Sequence, residues 1–102
     1  MAERGGPAEP GITAIPADQE PQAYFAARGL RSSGWAVGPR TWFPEHRHER
    51  TKHLFVTRGR ISFNGLWVEA GEGVRISAGV DHEAFAGDAG VECVEAFETA
   101  AG

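Results

Sequence analysis

The chain has 102 residues, 41% of them hydrophobic and 24% charged, with a formal net charge of -4. That is enough sequence for one compact core, and the balance is that of a globular protein rather than a disordered one. No apolar run approaches the ~18 residues of a membrane span, and an acidic chain without a basic run argues against nucleic acid as a partner. Cys93 is the single cysteine, so no intrachain disulfide framework forms, and the cytoplasm is the expected compartment.

Residues 1–10 carry two prolines, two glycines and charges, and are expected to form a flexible arm ahead of a domain over 11–102. Their polarity is not that of a secretory signal. Gly11–Ile15 reads as a short edge strand. Residues 20–29, EPQAYFAARG, read as one or two helical turns, started near Pro21 and stopped at Gly29.

From Ser33 onward short β-favouring runs alternate with glycine and proline. They are 34–37, 40–43, 53–57, 60–63, 66–68, 74–77, 82–85 and 91–97. Strands of about five residues at regular turn spacing predict an all-β sandwich or barrel. Asn64-Gly65 is the strongest hairpin signal, because a type I′ turn needs positive φ at both central positions. Trp35, Trp42, Trp67, Phe43, Phe55, Phe63 and Phe85 supply most of the large apolar volume and are expected mainly in the core.

The histidines carry the chemistry. His46 and His48 flank Arg47, and on a strand the i, i+2 spacing points both rings to one face. His82 follows a turn 34 residues later. Three converging imidazoles suit a divalent transition metal.

The spacing around them resembles the cupin superfamily, small β-barrel proteins with two motifs. The first, G-x5-HxH-x3,4-E-x6-G, is matched by His46-Arg47-His48, three residues, Lys52, six residues and Gly59. The second, G-x5-P-x-G-x2-H-x3-N, is matched by Gly71, five residues, Ser77, Ala78, Gly79, Val80, Asp81 and His82. The resemblance covers about residues 35–98. It implies an all-β, jelly-roll-like single-domain barrel, with His46, His48 and His82 as ligands of Fe, Mn, Ni or Zn. It also implies a small-molecule ligand or substrate and a homodimer formed by sheet extension.

Several positions depart from the pattern. Arg40, Ser77 and Ala86 replace the first glycine, the proline and the asparagine. Lys52 stands where the family places its glutamate ligand. A protonated lysine has no lone pair and repels a cation. Lys52 is therefore a candidate catalytic residue, either binding a substrate carboxylate or acting as a base.

Periodicity does not decide whether Lys52 or His53 faces the interior. On the last strand Val91, Cys93, Glu95 and Phe97 are the more apolar set and are expected inward; Glu95 then needs a partner, Lys52 or Arg75, unless the strand end is exposed and Glu95 solvated. Cys93 reads as a small core residue. Asp81 reads as a turn residue, and Arg47 as part of a solvated rim. Two functions fit: a metal-dependent enzyme of dioxygenase, isomerase or lyase type, or a non-catalytic ligand-binding or sensing barrel with a degenerate metal site.

Overall fold

The computed structural model describes residues 10–99, so the arm expected over 1–10 lies outside the described residues apart from Pro10. The elements are β1 (Ile12–Ile15), α1 (Pro21–Ala27), β2 (Ser33–Val37), β3 (Trp42–His46), β4 (Lys52–Phe63), β5 (Leu66–Glu69), β6 (Gly73–Ile76) and β7 (His82–Phe97). All seven strands pair antiparallel. They run in the order β1-β6-β4-β7-β2, with β5 on β4 and β3 on β7.

Two long strands replace four expected short ones. The runs at 53–57 and 60–63 fuse into β4, and those at 82–85 and 91–97 into β7. Each changes faces midway. On β4, Leu54 and Val56 point into the barrel, and beyond the register shifts around Arg58 and Gly59 the inward residues are Ile61 and Phe63. On β7, Ala84 and Ala86 point inward before Gly87–Gly90, and Val91 and Cys93 after it. Extra residues at these bulges bend both strands, so each serves both walls of the barrel. Gly59 permits the bend: its φ is +78°, and a Cβ there would lie 2.2 Å from the carbonyl oxygen of Gly90. Arg40, expected in a strand, sits in the turn before β3 with φ 56°.

The Asn64-Gly65 turn forms as expected, with φ 48° and 88°. Helix α1 also has its expected limits. The Glu20 carboxylate accepts from the Gln22 and Ala23 N–H groups, Pro21 opens the first turn, and Gly29 and Leu30 donate back to Ala26 and Phe25. The helix packs Tyr24 and Phe25 against Phe55, Ile15 and Ala96 on the outside of the sheet. β4 therefore has apolar packing on both faces over Lys52–Val56 and is buried throughout that stretch.

Candidate metal centre

The last residue of β3, His46, pairs across with the first residue of β7, His82. His48 lies two residues past the end of β3. It is placed by its loop, not by the strand alternation expected from the sequence. Its carbonyl accepts from the Gly79 N–H at 2.8 Å, which ties the loop to the turn before β7. From outside, Arg47 grips Asp81 bidentately, Nε to Oδ1 at 2.7 Å and Nη2 to Oδ2 at 3.1 Å. The residue between the first two histidines thus binds the residue before the third. From sequence alone the two read as rim and turn residues; their opposite charges beside the two histidine motifs are the available signal.

The three rings meet edge to face or tilted, with centroids 4.7 Å (His46–His48), 4.4 Å (His46–His82) and 5.1 Å (His48–His82) apart. One nitrogen from each lies within 4.8 Å of the others, close enough to share an ion. His46 Nδ1 bonds the Pro44 carbonyl at 2.8 Å, and His82 Nδ1 the Val80 carbonyl at 2.9 Å. A carbonyl only accepts, so each Nδ1 carries the hydrogen and, in the neutral ring, each Nε2 keeps its lone pair. Nε2 of His48 and Nε2 of His82 are buried without a hydrogen-bond partner. An unpaired buried acceptor costs about 1–3 kcal/mol, and a cation at the centre would satisfy both. The donor set therefore fits a divalent ion.

Burial, chiefly, holds the His48 pKa down to about 4, with the Lys52 ammonium and the other two histidines adding to the effect. Burial likewise lowers that of His82, against the opposing pull of its bond to Val80. Near neutral pH both rings are uncharged, the form that binds metal. The unfolded chain regains the ordinary histidine value near 6.5. As pH falls below 6.5, the unfolded state takes up protons that these rings refuse when folded. Metal-free protein is thus expected to be most stable above pH 6.5 and to weaken progressively toward pH 4. Urea midpoints of chelator-treated protein at pH 7.5, 6 and 5 test this; equal midpoints would contradict it.

Lys52, not His53, faces the interior. Its Nζ lies 3.2 Å from Glu95 Oε1, with both side chains largely shielded from solvent. The contact is an ion pair off the hydrogen-bond direction, which leaves that oxygen without a hydrogen bond. Lys52 also lines a cavity of about 40 Å³ with Trp35, Phe43, His46, Phe63 and His82. Arg75, the other candidate partner of Glu95, bonds Ser77 instead. Burial and the nearby Glu95 push the Cys93 thiol up to about 12, so it stays a protonated core residue and no nucleophile.

His53 points to the opposite face. Its Nδ1 meets the Tyr24 hydroxyl at 2.7 Å, and its Nε2 meets Glu98 Oε2 at 2.8 Å, clamping α1 and the end of β7 to β4. These partners lie 29 and 45 residues away, so no local pattern announced them. Three expected core aromatics are instead on the surface: Trp42 is 55% exposed, Phe85 43% and Trp67 41%.

No sequence-family profile and no curated protein matches the chain. Solved structures do. A structure of Rhodobacter sphaeroides SigE in complex with the anti-sigma ChrR matches at 16% identity and TM-score 0.59 over 85% of this chain, which spans 44% of that one. An RmlC-like cupin from Shewanella frigidimarina matches at 16% identity and TM-score 0.59 over 92% of this chain and 81% of the other. The Cupin_2 domain of an XRE family transcriptional regulator from Enterobacter cloacae matches at 16% identity and TM-score 0.58 over 89% and 99%. No helix among the described residues is long and apolar enough to cross a membrane. Likeness at this identity speaks to architecture alone: the chain has the fold of an all-β cupin barrel.

Proposed function

We propose that this barrel binds one divalent transition metal through His46, His48 and His82 and acts there on a small molecule. The observation that carries the reading is the pair of buried, unpartnered Nε2 atoms on His48 and His82, held among rings whose other nitrogens are in part fixed by backbone carbonyls. Fe, Mn, Ni and Zn all accept imidazole nitrogen.

When bound, such an ion supplies Lewis-acid polarisation of a coordinated group. The chain's own residues set what reaches it. The cavity beside the histidines holds about 40 Å³, room for a water or a group of a few atoms, so only the reacting end of a substrate enters. Trp35, Phe43 and Phe63 exclude bulk water. Lys52 offers its ammonium to an anionic group while Glu95 balances its charge.

A second reading, a ligand-sensing barrel without turnover, is favoured by two observations. Lys52 stands in place of a carboxylate ligand, and one structural neighbour is a domain of a transcriptional regulator.

Elemental analysis and metal titration test the common premise. About one metal per chain is expected. His48→Ala should weaken binding at least 100-fold, since even indirect supporting residues are worth 10–100-fold. The variant should fold, because the aromatic and branched core is untouched. Stoichiometric metal retained by His48→Ala, or none in the parent protein, would refute the site. Turnover of small carboxylates or sugars by metal-loaded protein would separate enzyme from sensor.

A further inference from the structure

A cleft lies between α1 and the outer face of the sheet, apart from the metal centre. It holds about 540 Å³ and is lined by Tyr24, Arg28, Leu30, His53, Arg75 and Glu98, a size within the range of small-molecule pockets. The register explains the lining. Arg75 of β6 stands opposite His53 of β4, so both side chains leave the same face of the sheet, away from Lys52 and the three ligand histidines. His53 is 3% exposed and forms the floor. Helix α1 supplies one wall, and Glu98, just past the end of β7, supplies another.

His53 and Glu98 are engaged with each other. An ionised carboxylate only accepts, so their contact at 2.8 Å puts the hydrogen on His53 Nε2, and in the neutral ring Nδ1 accepts from the Tyr24 hydroxyl at 2.7 Å. The two cations of the cleft have no such match. Arg75 is half-buried, and its Nη1 bonds the Ser77 hydroxyl at 3.1 Å. Arg28 bonds the Tyr24 carbonyl at 3.0 Å, and its guanidinium lies 3.6 Å over the Tyr24 ring. Among the described residues no carboxylate lies within ion-pair distance of either arginine. A clamp between helix and sheet needs the tyrosine, the histidine and the glutamate; it does not need two arginines beside them. A guanidinium partly withdrawn from water without a counter-charge is destabilising. Two of them around one cleft, on a chain of formal net charge -4, concentrate positive potential there. The end of α1 does not cancel it, because the carbonyls of Tyr24, Phe25 and Ala26 already accept from residues 28–30.

We propose that this cleft binds a small molecule through an oxyanion, a carboxylate or a phosphate group, held by Arg28 and Arg75. Planar guanidiniums match both groups with paired N–H donors. Stacking on Tyr24 restrains the Arg28 fork before any ligand arrives, which lowers the cost of ordering it. Leu30 offers an apolar edge to the body of the ligand. The site lies across β4 from the metal centre and does not rest on the metal reading.

Amide NMR spectra of the full chain, titrated at pH 7.5 and constant ionic strength, test it. Inorganic phosphate is the probe in one series and acetate in the other. At least one should give saturating shifts centred on Gly29, Leu30, Arg75 and Glu98, and the tighter of the two identifies the oxyanion that the cleft prefers. Arg28→Gln and Arg75→Gln should each weaken that binding roughly tenfold or more, the loss of one charged hydrogen-bonding partner. Arg28 is exposed, so its variant decides the matter should Arg75→Gln fail to fold. No saturating shift with either probe overturns the proposal. So do shifts confined to Lys52 and the three ligand histidines, which place the anion at the metal centre, and so does an affinity unchanged in either variant.

Discussion

Gly59→Ala is expected to destabilise the protein by on the order of 3 kcal/mol or more, a loss of roughly 15 °C in thermal midpoint for a domain of this size. Two causes act together. A φ of +78° costs a side chain about 1–2 kcal/mol, and the new Cβ would meet the Gly90 carbonyl oxygen at 2.2 Å, with the Val91 backbone behind it. Neither contact is with a flexible side chain, so the two long strands must part where both change faces. Gly65→Ala provides the comparison. Its φ is +88° but no atom lies within 4 Å, so only the conformational cost applies, about 1 kcal/mol. Thermal melts of the two variants separate the terms; equal losses would show that the close approach of the strands at Gly59 contributes nothing.

Lys52→Glu is expected to raise affinity for Mn, Fe and Zn at least tenfold. The ammonium acts at the centre, since it depresses the pKa of both His48 and His82. The substitution removes that repulsion and adds an oxygen ligand. One well-placed ligand is worth at least the ~1.4 kcal/mol of a tenfold change. Without metal the effect reverses: a new carboxylate beside Glu95, at a position where Lys52 is 7% exposed, puts two like charges in poor contact with water, and apo stability should fall. Should Lys52 be what holds a substrate anion, activity drops even as affinity climbs. Parallel metal titrations of both proteins decide the matter; unchanged or weaker affinity would mean that the position-52 side chain does not act on the ion.

Much of this site was legible because its signals are local. The HxH pair, the interval to Lys52 and Gly59 and the turn before His82 are fixed spacings, and the Asn64-Gly65 turn and the limits of α1 follow from single-residue chemistry. Failures came where a distant element intervened. Periodicity could not choose between Lys52 and His53 because α1 covers the outer face of β4, making both faces apolar there. The face changes in β4 and β7 were hidden because Gly59 and Gly87–Gly90 look like strand ends yet are bends within continuous strands. The size of Trp42, Trp67 and Phe85 points to core; their outward direction follows only from the pairing register, which no single run contains.

Strand β7 pairs with β2, β3 and β4, and that arrangement governs the order in which the molecule can assemble. β5 and β6 can pair with β4, and β1 with β6, before β7 is made, but β2 and β3 have no partner until residues 82–97 have been synthesised. β1 waits for β6, the pairs running from Ile15 with Gly73, 58 positions apart, to Ile12 with Ile76, 64 apart. Loop closures this long are slow, so folding is expected in the millisecond-to-second range rather than in microseconds. His82 opens the strand on which β2 and β3 wait, so the three imidazoles have no common centre during most of elongation. A nascent chain can hold metal only loosely, through His46 and His48 alone, and selection of the ion belongs to the finished barrel.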